Sequence, residues 1–115
     1  MTKIKRILPY TKQLVFFALY DVLDGEKSEY KVEKEAAKIT ADVKVYDNIS
    51  GFAFHIGENP PATELTVTVE RPSDGLSLQG EKRAADYLAD RVAQFLENEL
   101  KINALLKAKH GGQIG

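Results

Sequence analysis

Glu64-Leu-Thr-Val-Thr-Val-Glu-Arg71 runs through Pro72-Ser73-Asp74-Gly75 towards a long apolar stripe, and its reading decides the fold. In the first part Leu65, Val67 and Val69 alternate with Thr66, Thr68 and Glu70. That period of two belongs to a strand with one covered face, as in an antiparallel sheet. Pro-Ser-Asp-Gly is a turn signal. After it, Ala85, Leu88, Val92, Phe95, Leu96 and Leu100 recur at spacings of three and four, which predicts an amphipathic helix over 81–107. Glu81 at its start and Lys107 and Lys109 at its end suit the helix dipole, and Gly111-Gly112 provides a stop. The stripe supplies the cover that the strand's apolar face requires.

Upstream, Lys38–Asp47 alternates in the same way, with Ile39, Ala41, Val43 and Val45 on one side. Asp47–Gly51 reads as a connection of turn formers. Phe52, Phe54 and Ile56 resume the pattern, and the loop Gly57–Pro61 follows, since two prolines do not sit in a central strand. Glu29–Ala37 reads as extended in its first half, while its Glu- and Ala-rich second half suits helix as well. Leu76 and Leu78 read as a brief return strand before Gly80. Residues 1–10 hold a short strand. Thr11 is a candidate N-cap and Gly25 a stop, which gives a short apolar N-terminal helix over 12–24. Val15, Phe16, Phe17 and Tyr20 also favour strands, so a buried strand over 14–23 stays open.

The expected fold class is therefore α+β: an antiparallel β-meander of three to five strands packed against a long C-terminal helix. The expected core comprises Ile39, Val43, Val45, Phe52, Phe54, Leu65, Val67, Val69, Leu88, Val92, Phe95 and Leu96. One domain over 1–115 is expected, with 108–115 as a flexible basic tail. A chain of 115 residues, 43% hydrophobic and 29% charged, has the composition of a globular domain. It can bury roughly 65% of its unfolded surface without staples.

Composition also excludes. The chain has no Cys, which removes disulfide scaffolds, thiolate zinc sites and a catalytic cysteine. Leu14–Tyr20 is far shorter than the roughly 20 residues of a membrane helix. It resembles the start of a signal peptide, but Asp21 interrupts it and no small-x-small site follows, so a cytoplasmic protein is expected. The net charge of −1 conceals basic ends, 1–12 and 101–115, around an acidic middle. Those cations are sparse and lack interleaved aromatics, so no nucleic-acid partner is expected.

Each chemical candidate has a plain structural alternative. His55 lies on the polar face of the meander near Thr66 and Thr68 and suits a base or a ligand, but no second His accompanies it. Asp86 and Asp90 form an (i, i+4) carboxylate pair able to hold a cation, or else a solvated face with Arg91 and Lys82 as counter-charges. Gly75 and Gly80 precede a helix, yet no phosphate-loop pattern follows. No G-x-S-x-G elbow is present. No metal, cofactor or catalytic residue is expected, and a non-enzymatic role follows.

Element order, carried by Glu64–Arg71 and the helix Ala84–Leu100, resembles the helix-grip fold of the SRPBCC (START-like) superfamily. The resemblance has no signature motif, and the chain has few strands for a full grip. It implies an apolar small molecule held between sheet and long helix. On the residue pattern Phe52, Phe54, Leu88 and Phe95 would line such a site. The alternative is a protein-interaction or homodimerisation module without a pocket. Its interface would include Phe16, Phe17 and Tyr20, because Leu14–Leu23 has more apolar faces than a small domain covers.

Overall fold

The computed structural model describes the backbone of residues 1–114 and the side chains of residues 1–99. The order of elements is β1 (Thr2–Leu8), α1 (Lys12–Gly25), β2 (Glu29–Glu33), β3 (Lys38–Val45), β4 (Asn48–Asn59), β5 (Ala62–Arg71) and α2 (Leu78–Ile114). The strands form one five-stranded antiparallel sheet in the order β1-β5-β4-β3-β2. Three hairpins build β2 to β5, and α1 carries the chain over the sheet so that β1 pairs with β5.

One face of this sheet is covered. Leu65, Val67 and Val69 of β5, Phe52, Phe54 and Ile56 of β4, and Ile39, Val43 and Val45 of β3 are all buried. α2 crosses β1 and β5, while α1 lies on β4 and β5 and against α2. The α2 stripe of Ala85, Leu88, Val92 and Leu96 is buried beneath it, as are Val15, Leu19 and Leu23 of α1. Of the expected core residues only Phe95 is partly buried, at the margin of the cluster. Burying a Leu- or Phe-sized side chain is worth about 1.5–3 kcal/mol. This layer is what holds sheet and helices together. Among the described residues, no helix is long and apolar enough to cross a membrane.

Several boundaries differ from the sequence reading, each for a local reason. Residues 14–23 are helical: the Thr11 side chain accepts the Leu14 N–H at 3.3 Å and caps α1, which ends at Gly25. The connection expected over Asp47–Gly51 contracts to Tyr46-Asp47, both at positive φ (49° and 67°), so β4 already begins at Asn48. Two central residues at positive φ make the tight turn whose twist matches the flanking strands. Leu76 and Leu78 form no strand. Ser77 accepts the Gly80 N–H on its hydroxyl at 3.0 Å, and Leu78 opens α2. α2 continues to Ile114 and takes in most of the stretch expected as a tail; Gly115 lies outside the described residues.

Candidate functional site

A cleft of about 740 Å³ lies between the β3–β4 turn, the segment before α2, and the N-terminal part of α2 up to Gln94. Val45, Tyr46, Asn48 and Ser50 wall it on the hairpin side, with Leu76 at one end. Arg83, Tyr87, Arg91 and Gln94 face it from α2, with Asp86 and Asp90 along the rim. The volume falls in the range of roughly 300–1,000 Å³ usual for small-molecule sites.

The two tyrosines define its mouth. Tyr46 is 65% exposed, and its ring meets Tyr87 with centroids 5.4 Å apart at 58°, a tilted aromatic pair. Asn48 donates its side-chain N–H to the Tyr46 carbonyl at 3.0 Å, which secures the turn from the following residue. Beside the rings lies a closed polar triangle. Tyr87 donates its hydroxyl to Glu26 Oε1 at 2.9 Å, and Arg91 Nη1 donates to the same oxygen at 2.7 Å and to the Tyr87 hydroxyl at 3.1 Å. The Glu26 side chain is only 14% exposed, so this pair is better shielded from solvent than the other ion pairs of the described residues. Glu26 is also the C-cap residue of α1. The triangle thus ties the end of one helix to the flank of the other.

Asp86 and Asp90 are answered from outside their own helix. Arg6 of β1 donates to Asp86 at 3.1 Å and to Asp90 at 3.2 Å. The counter-charge is therefore Arg6, in place of the expected Arg91 and Lys82. Burial alone pulls the Arg6 guanidinium down, but its hydrogen bonds to the two carboxylates and their charge outweigh this and raise its pKa. Arg83 makes no ion pair among the described residues. Its guanidinium is thus the cleft's uncommitted cation. No group of His, Cys, Asp and Glu suited to a metal ion occurs among the described residues. His55 is exposed on the open face, in register with Lys38 on one side and Thr66 on the other.

The residues expected to line a ligand site fall elsewhere. Phe52, Phe54 and Leu88 are sealed in the core, with the two Phe rings 6.3 Å apart, and none of the three lines the cleft. Phe95 packs at the edge of the same core. On α1, Phe16 and Tyr20 are half-buried and Phe17 is 55% exposed. Phe16 and Tyr20 rings lie 6.2 Å apart, and Tyr20 stacks on Tyr30 of β2 at 6.0 Å. The cleft residues Tyr46 and Tyr87, and Glu26 hydrogen-bonded beside them, escaped the sequence reading. The (i, i+4) spacing of Tyr87 and Arg91 was the available signal for the helix side, whereas Tyr46 joins the cleft only through the turn and Glu26 meets Tyr87 and Arg91 only through the cap.

No protein-family model matches the chain, and no curated protein does. Among solved structures it is similar to TTHA0849 from Thermus thermophilus, at 11% identity and a TM-score of 0.46, over 85% of this chain and 97% of that one.

Proposed function

We propose that this chain is a small-molecule binding domain of helix-grip type, holding an apolar or aromatic compound in the cleft between the Tyr46 turn and α2. The observation that carries the reading is Tyr46 itself. A non-Gly residue at positive φ is strained, and such strain gathers at functional sites. A β-turn of this kind favours Asn-Gly, yet it holds Tyr-Asp here. What the Tyr supplies is a ring at the cleft opposite Tyr87, whose face carries the Arg91 guanidinium, in a cleft that Arg83 also lines. Aromatic walls with a few convergent polar groups are the usual composition of a ligand site. The tight packing of Phe52, Phe54 and Leu88 supports a ligand at this rim rather than deep between sheet and helix. We assign no chemical step, and a cytoplasmic setting accords with a chain that has no cysteine.

Fatty acids and aromatic compounds, screened by thermal shift, test the proposal. A ligand selective for the native state at a hundredfold excess over its Kd adds about 2.7 kcal/mol of stability. The expected result is a raised Tm with one chemical class and a much smaller rise in Tyr46→Asn. No shift with any compound, in a protein that captures a stable protein partner, overturns it in favour of an interaction module.

A further inference from the structure

The sheet has two edges, β1 and β2, and they are unlike in charge. β1 reads Thr2-Lys-Ile-Lys-Arg-Ile-Leu8, and α2 is fastened across it by Arg6 and by the Thr2 hydroxyl donating to Glu81 at 3.0 Å. Antiparallel pairing of β1 with itself over most of its length sets Lys3 against Lys5, Lys5 against Lys5, or Arg6 against Arg6. Cations of this kind are a common device for keeping a sheet edge unpaired. β2 reads Glu29-Tyr-Lys-Val-Glu33, with the charges on the open face and Tyr30 and Val32 half-buried on the covered face. None of Lys27, Glu29, Lys31 and Glu33 makes an ion pair among the described residues.

We infer that the chain forms a twofold dimer by antiparallel pairing of β2 with β2 of a second copy, with Tyr30 facing Tyr30 on the axis. Matching covered face to covered face leaves three registers that use the strand, centred on residue 30, 31 or 32. Centring on Lys31 opposes Lys31 to itself and Glu29 to Glu33. Centring on Val32 sets Lys31 against Glu33 on both sides of the axis, but it runs Tyr30 and Glu29 out against Lys34 and Glu35 of the following turn, a like pair at the ends. Centring on Tyr30 sets Glu29 against Lys31 on both sides of the axis and Lys27 towards Glu33 at the ends, with no like pair. Opposite charges directly across a strand pair stabilise it and like charges oppose it. The axis also extends an aromatic row. Within one copy Phe16, Tyr20 and Tyr30 follow one another at 6.2 and 6.0 Å, and the row stops at the half-buried Tyr30. Pairing joins it to the row of the second copy and covers Tyr30 and Val32. The contact is self-complementary, so it closes at two copies and does not propagate. It uses no residue of the cleft.

Sedimentation from low to several hundred micromolar, on the full chain, tests the register through exposed residues whose substitution leaves the fold intact. The wild type is expected to pass from monomer to dimer across that range. Glu29→Lys and Lys31→Glu each replace two attracting pairs across the axis by two repelling ones, and each is expected to weaken association about tenfold. The double variant Glu29→Lys/Lys31→Glu restores opposite pairs and is expected to return close to the wild-type affinity. Because the chain has no cysteine, Tyr30→Cys is expected to give an oxidised, disulfide-linked dimer at the axis. A wild type that stays monomeric throughout, a Glu29→Lys variant that associates more tightly, or a double variant as weak as the singles overturns the inference.

Discussion

Replacing Tyr46 with Asn separates what the turn needs from what the cleft needs. Tyr46 sits at φ 49° and Asp47 at φ 67°. The left-handed region costs an ordinary L-residue about 1–2 kcal/mol, and Asn occupies it more readily. Tyr46→Asn therefore recovers about 0.5–1 kcal/mol at the backbone. Against this, the ring pair with Tyr87 is lost. Such pairs contribute about 0.5–1.5 kcal/mol, and this one stands at the low end because Tyr46 is 65% exposed. The two effects nearly cancel, so the variant should unfold within about 0.5 kcal/mol of the wild type in urea. Adding Asp47→Gly completes the Asn-Gly turn and loses only an exposed contact with Lys44 at 4.0 Å. The double variant should gain about 0.5–1 kcal/mol, a Tm higher by about 2–5 °C. In both variants the thermal shift produced by a cleft ligand should largely disappear. If Tyr46→Asn alone costs more than about 2 kcal/mol, the ring is a structural element and the strain argument fails. If the variant is stable and the ligand shift is unchanged, Tyr46 is no part of the binding wall.

Other perturbations probe the frame around the cleft. Arg6→Ala breaks the link from β1 to α2; with Arg6 and Asp86 about a third exposed and Asp90 more than half, the discounted loss is about 1 kcal/mol, plus about 0.3 from the bare Asp86–Asp90 pair. A double-mutant cycle with Asp86→Asn that shows no coupling would refute that link. Val67→Asp puts an unpaired charge between Ile4 and Phe54 and should abolish cooperative folding, at a cost of several kcal/mol; unchanged circular dichroism and melting would mean that the alternation of β5 is misread. The hydrogen bond that Tyr30 donates to Asp24 at 3.1 Å, then burial and the Asp24 charge, raise the Tyr30 pKa. A raised value favours the protonated hydroxyl in the folded state. Its contribution is therefore present below pH about 10 and lost as pH rises through the raised value. The stability difference from Tyr30→Phe should shrink above pH 10, and equal differences at pH 8 and pH 11 would contradict it.

Where a residue's environment depends on its own strand or helix period, the sequence was enough. The alternation of Leu65, Val67 and Val69 and of Ile39, Val43 and Val45 marks one covered sheet face. The spacing of Ala85, Leu88, Val92 and Leu96 marks the helix that covers it, because period alone fixes which side chains share a face. Residues 14–23 were ambiguous for a physical reason: a segment apolar at nearly every position has no period, and only its Thr11 cap and its packing against the sheet and α2 make it helical. The cleft is different in kind. Tyr46 reaches Tyr87 because a two-residue turn at positive φ lifts the ring over α2. Glu26 meets Arg91 because the end of one helix abuts the flank of another. Arg6 bridges Asp86 and Asp90 across about eighty residues of chain. None of these pairs has a sequence spacing, so no pattern announces them. They exist only in the folded chain: Arg6 reaches Asp86 and Asp90 once β1 has paired with β5 under α2.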